Sequence, residues 1–153
     1  MKGRQPEGRD TGSGRPLLDR LGVRPGMRVA LLGFQDAAFE GELRERGAIL
    51  ENAPRPGLDL LFYFAAEGSD LLALSELRRL IHDAGAIWVL RVKGAGLKIR
   101  DVDVIDAGRM AGLVDNKIAS FSDSHAAMRL VVPLSKRAPS ATKPATPASR
   151  RRT

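Results

Sequence analysis

The stretch "MRVALLGFQDAAF" (27–39) sets a single glycine, Gly33, between a run of apolar residues and the start of a helical pattern, and an acid, Glu51, follows 18 residues later. Each residue type suits one part of an adenosine-bearing ligand. A glycine after the first strand lets backbone approach a ligand where a Cβ would collide. A carboxylate at the end of the second strand can accept hydrogen bonds from the hydroxyls of a ribose. A solvated strand-end glutamate is the commoner explanation of Glu51. The set is thin, because positions 35 and 37, where further glycines would fall, hold Gln35 and Ala37. A tight strand-to-helix turn needs only one glycine, and that is the expectation here.

The second candidate is basic. Arg91, Lys93, Lys98 and Arg100 lie in and just after "RVKGAGLKIR", at the carboxyl end of a predicted strand. Ligands of open α/β sheets bind at that edge, so such a loop could hold a phosphate or carboxylate. A solvated basic loop is the plainer alternative. Asp101, Asp103 and Asp106 follow it. The first two fall where a helix begins and are read as caps, since a calcium loop needs more oxygens at stricter spacing. His82 and His125 are the two histidines, 43 positions apart. Neither has the context of a serine nucleophile or a metalloprotease helix. His82 is expected to close a helix beside Asp83, and His125 to open the last strand near Asp123, where a general-base role is open to it. Trp88 lies inside an apolar strand and is assigned to the core.

The formal charge of +7 points to nucleic acid only if it sits on the fold. It does not. Residues 1–15 carry four basic and two acidic side chains, and residues 134–153 carry six basic and none acidic. Residues 16–133 hold 15 basic against 16 acidic, a net of −1. The glycine-rich arm 1–15 and the Pro/Ala/Ser/Thr tail 134–153 are expected to be disordered, flanking one domain over 16–133. The tail, with Lys136, Arg137, Lys143 and "RRR" (150–152), could neutralise phosphates weakly and without regard to sequence. No apolar run of about 18 residues is present and the first ten residues lack a secretory core, so a cytoplasmic, membrane-free protein is expected. Cysteine is absent, which removes disulfides and thiolate nucleophiles.

These residues must be held by a strand and helix alternation. "PLLDRLG" reads as a short helix stopped by Gly22, and "MRVALLG" (27–33) as a strand covered on both faces. Asp36 is placed to cap a helix through Arg46, with Phe39 and Leu43 on its inner face. "AILEN", "LDLLFYFA" (58–65) and "AIWVLRV" (86–92) are three further strands. Before the last of them, Leu74, Leu77 and Ile81 recur at helical spacing behind a cap at Ser69 or Asp70. A helix is predicted over 101–111. "VDNKIASF" and "AAMRLVV" flank the turn "SDSH", too short for a crossover, and must pair antiparallel. The sum is a three-layer Rossmann-like α/β sandwich with four parallel strands and a C-terminal antiparallel hairpin.

That order resembles the class I S-adenosylmethionine-dependent methyltransferase fold with one strand-helix unit lost. "GVRPGMRVALLG" is similar to the approach to its first motif, "LDLLFYFA" to its central strand and "DAGAIWVLRV" to the strand after it. "LLDRLGVRPGMRVALLG", "GAIWVLRVK" and "AGLVDNKIASFSDSHAAMRLVV" together resemble the uncharacterised bacterial family called domain of unknown function 3052, over residues 17–133. The chain departs from that family at "RVKG", where a Trp-Pro-Lys-Lys run is usual, and at His125, near a usual Trp. Against the methyltransferase pattern it has Leu31 where an acid precedes the first glycine by two positions. Leucine cannot balance a sulfonium. The reading is therefore a non-catalytic binding or interaction module with no cofactor, its partner a protein or a small anion met by Arg91, Lys93, Lys98 and His125. The alternative is a minimal, degenerate methyltransferase-like protein with S-adenosylmethionine over Gly33 and its ribose on Glu51.

Overall fold

The computed structural model of the protein describes residues 16–53 and 55–137. The expected arm 1–15 and residues 138–153 of the expected tail 134–153 lie outside the described residues; residues 134–137 of that tail are described. A short α1 (Leu17–Leu21) precedes β1 (Arg28–Leu32), α2 (Ala37–Arg46) and β2 (Ile49–Leu50). Then come β3 (Leu58–Phe64), a 3-10 segment (Gly68–Ala73), α3 (Leu74–Leu77), a 3-10 turn (Arg78–Leu80) and β4 (Ile81–Val92). After α4 (Asp101–Met110), β5 (Val114–Ser120) and β6 (His125–Val131) form the hairpin, and a 3-10 turn (Leu134–Lys136) ends the described chain.

One six-stranded sheet has the order β2-β1-β3-β4-β6-β5. The first four strands are parallel, and β6 runs antiparallel to both β4 and β5. This is the predicted α/β sandwich. Its two faces bury separate clusters because side chains alternate across each strand. On one face Leu21, Phe39, Leu43, Phe62, Trp88 and Ala127 meet under α1 and α2; on the other Leu74, Ile87, Val89, Val104, Met128 and Leu130 meet under α3 and α4. Phe39 packs edge-on against Phe62 and Phe121, with ring centroids 5.1 and 5.0 Å apart. Trp88 is fully buried and its Nε1 donates to the Leu21 carbonyl at 3.1 Å, which also satisfies an end group of α1.

Two predictions fail locally. The helix read through Ile81 stops early, as four α residues inside 3-10 turns, and Ile81 already pairs with Leu58 as the first residue of β4. His82 therefore stands on a strand, where its Nε2 meets Asp59 Oδ1 at 2.7 Å, instead of closing a helix beside Asp83. Asp83 is taken by Arg78 at 2.8 Å. No helix among the described residues is long and apolar enough to cross a membrane.

Candidate functional site

The carboxyl ends of β1 and β2 frame a cleft of about 700 Å³, bounded by Leu31, Gly33, Gln35, Glu40, Leu50 and Glu51, with Asn52 beside them. The volume is in the range of small-molecule sites. Two carboxylates, Glu40 and Glu51, and one guanidinium, Arg44, line the opening, and behind it Asp36 caps α2, its Oδ1 accepting from Phe39 N at 3.0 Å.

Gly33 holds a left-handed φ of +86°, and a Cβ there would lie 2.7 Å from the Phe64 carbonyl oxygen. The glycine is thus required by the neighbouring strand, whether or not a ligand is bound. Glu51 follows β2 directly and is tied to β1 by its own N–H, which donates to the Val29 carbonyl at 2.8 Å. Its side chain, only 10% exposed, takes Arg28 in a two-point pair, Nε to Oε2 at 2.5 Å and Nη2 to Oε1 at 3.0 Å. The same guanidinium donates to the Gly57 carbonyl, so the pair also holds the β2–β3 loop. Hydrogen bonding by Arg28 holds the Glu51 carboxyl below its usual value, and Glu51 holds Arg28 above its own. The carboxylate is fixed and ionised at the edge of the cleft, with Arg55 Nε a further 3.9 Å from Oε1.

The basic loop does not form the expected cradle. Arg91 is 5% exposed; its Nη1 donates to the Ile99 carbonyl at 2.9 Å and its Nη2 pairs with Asp101. Burial pulls its pKa below the ordinary value. It braces the start of α4 from within, so it is withdrawn from any ligand, contrary to its placing in an anion site. Lys98 pairs with Glu67 at 3.1 Å, and Arg100 with Asp103 at 3.1 Å. Asp103 accepts from Arg100 N at 2.9 Å, as a cap does.

Lys93 and His125 do come together. The Lys93 Nζ donates to Ser120 Oγ at 2.9 Å, and Ser124 Oγ lies 2.7 Å from His125 Nδ1. Burial first, and Lys93 second, lower the His125 pKa, so the imidazole is neutral near pH 7. Its ring packs on Phe64 at 5.5 Å between centroids. Phe64 is the residue whose carbonyl abuts Gly33, which puts the cleft, Phe64 and His125 along one edge of the sheet. Sequence reading picked the ends of this row and missed Phe64, Glu40 and Asn52, which lack any motif.

No protein-family model matches the chain, and no curated protein matches it either. Solved structures do. A methyltransferase dependent on S-adenosylmethionine from Aquifex aeolicus superposes with a TM-score of 0.60 at 14% identity, over 76% of this chain and 88% of that one. A TehB-like one from Corynebacterium glutamicum gives 0.55 at 12%, over 76% and 85%. Magnesium protoporphyrin IX methyltransferase from Synechocystis, with S-adenosylmethionine bound, gives 0.58 at 11%, over 76% and 74%. At such identities the likeness shows the fold, an α/β sheet of the methyltransferase type. The reading without a cofactor is corrected by this company, since the Synechocystis enzyme is solved with S-adenosylmethionine and with S-adenosylhomocysteine bound.

Proposed function

We propose that the chain is a minimal methyltransferase-like protein that binds S-adenosylmethionine in the cleft beyond β1 and β2. The observation that carries this is the open cleft of about 700 Å³ with Glu51 fixed at its rim. The residues fit the nucleoside half of the ligand. Glu51 would accept from the ribose hydroxyls with the lone pairs that Arg28 leaves, Asn52 offers a donor and an acceptor beside it, and Leu31 and Leu50 supply apolar wall for the adenine. At the sulfonium end Leu31 gives no charge, and Glu40, which meets Arg44 at 3.8 Å, is the acid of the cleft that remains. When bound, the group supplies a methyl for transfer to a nucleophile. The chain's part is to bind and orient it, with the neutral His125 on the same edge able to take a proton from an acceptor.

This replaces the interaction-module reading, because the solved structures of like fold are S-adenosylmethionine-dependent methyltransferases and the cleft has room for the ligand. We also infer kinship with the domain of unknown function 3052 family, from the motifs quoted above. Calorimetric titration with S-adenosylmethionine and S-adenosylhomocysteine tests the proposal. One site per chain with a dissociation constant of about 1–100 μM is expected, weakened about 10- to 100-fold in Glu51→Gln, the loss for a hydrogen bond to a charged group. No saturable heat with either compound would overturn it.

A further inference from the structure

A second cavity, of about 360 Å³, opens on the opposite edge, where the parallel strands begin. Its walls carry Arg20, Arg24, Lys117 and Arg129 against one carboxylate, Asp59. Asp59 is already engaged, accepting from Arg28 N at 2.8 Å and meeting His82 at 2.7 Å. The near-neutral charge of residues 16–133 thus hides a local excess of cations. Arg129 is the centre of it. It sits on β6 opposite both Trp88 of β4 and Lys117 of β5, on the sheet face that α1 covers. Inward-facing positions beside it, Ala127 and Val131, are apolar and buried. Among the described residues its half-buried guanidinium has no carboxylate partner, and the charges that act on it most are those of Arg137 and Arg24. Burial, then these two cations, depress its pKa. A half-buried charge among like charges is costly unless something else offsets it.

The backbone is also shaped for this cavity. Among the described residues the sheet has two register irregularities, one where residues 82–85 of β4 stand against Asp59 of β3 and one at Asn116 of β5. His82 and Ala84 from the first and Asn116 from the second line the cavity. Bulges re-aim side chains and gather beside sites. Arg20, 4% exposed, is held by donating to the Ser120 carbonyl at 2.9 Å, while Lys117 Nζ donates to the Arg20 carbonyl at 2.6 Å. The cationic wall is therefore built and braced. Leu21, Leu60 and Trp88 form an apolar floor.

We propose that this cavity is a binding site for a small phosphomonoester, its phosphate held by Arg129, Arg24 and Lys117 and its organic part resting toward Leu21 and Leu60. Guanidinium pairs match phosphate oxygens in a way that a single carboxylate needs only one of, and the dianion offsets the excess charge. The site is separate from the cleft at the other edge.

Titration of the full chain with phenyl phosphate and with inorganic phosphate, at constant ionic strength set with chloride, tests this by calorimetry and thermal shift. Phenyl phosphate should bind at one site and more tightly than inorganic phosphate, and both should raise the melting temperature. Arg129→Gln and, at the exposed mouth, Arg24→Gln should each weaken binding about tenfold or more. Without ligand, Arg129→Gln should melt at or above the parent temperature, because a repelled charge is gone. Glu51→Gln should bind phenyl phosphate as the parent does. Absence of saturable binding up to about 10 mM, or unchanged affinity in both arginine variants, would overturn the site. Equal affinity for the two anions would overturn the role of the apolar floor.

Discussion

Replacing Gly33 by alanine should be far more damaging than the loss of a ligand contact alone would require. At φ +86° a side chain costs about 1–2 kcal/mol in the left-handed region. The new Cβ would also lie 2.7 Å from the Phe64 carbonyl oxygen, a backbone atom of β3 that cannot swing aside. Forcing the two strands apart adds about 1–3 kcal/mol, the usual cost of overpacking. The total of about 2–5 kcal/mol corresponds to a fall in melting temperature of roughly 8–20 °C, at about 4 °C per kcal/mol for a fold of this size. Gly22→Ala is the control: φ is +79° there, and nothing lies within 4 Å of the added Cβ. It should lose only the conformational part, about 4–8 °C. Thermal melts of the ligand-free proteins by circular dichroism give both numbers. Equal losses in the two variants would refute the claim that Gly33 is required by the approach of β1 to β3, and would leave ligand contact as the reason for the glycine.

Three further outcomes follow from the same geometry. Trp88→Phe should lose about 1–3 kcal/mol in urea unfolding, because the Leu21 carbonyl keeps its burial and loses its donor; a loss under about 0.5 kcal/mol would show that the bond adds little. His125 has a pKa below its ordinary 6.5 in the fold, so the unfolded chain binds the proton first as pH falls. Stability should be flat above pH 6.5 and decline below it, through the lowered folded value, and His125→Gln should remove that part of the decline. Arg28→Gln should weaken S-adenosylhomocysteine binding although Arg28 is absent from the cleft's lining, since it fixes Glu51 through two hydrogen bonds; unchanged affinity would mean that Glu51 is positioned without it.

The parts of this fold that could be read in the chain are those set by local pattern. β1 and β3 carry the apolar runs 29–32 and 60–64, Asp36 caps α2, and "SDSH" forces a hairpin; each depends on residues close in sequence. The misplaced start of β4 has a physical cause. Leu74, Leu77 and Ile81 satisfy helical spacing, yet all three face the same core, Leu74 and Leu77 from the helix and Ile81 from the strand, so spacing could not separate the two. Charge was legible as a sum and not as a distribution. Arg91 looks like the centre of a basic loop until Asp101, ten residues on, comes back to meet it. Arg129 looks like one more exposed cation until β6 pairs with β4 and β5 and aims it beside Arg24. Glu51 was identifiable from its distance to Gly33, whereas its partner Arg28, 23 residues away, had no signal at all.

The claim that the cleft beyond β1 and β2 holds an adenosyl ligand is met most directly by amide chemical shifts of the isotope-labelled chain during titration with S-adenosylhomocysteine. The shifts should concentrate at Gly33, Phe34 and Gln35 and at Glu51 and Asn52, saturating together, with Arg24, Asn116 and Arg129 at the far edge unmoved. Saturating shifts at the far edge alone, or none anywhere at about 1 mM ligand, would contradict it.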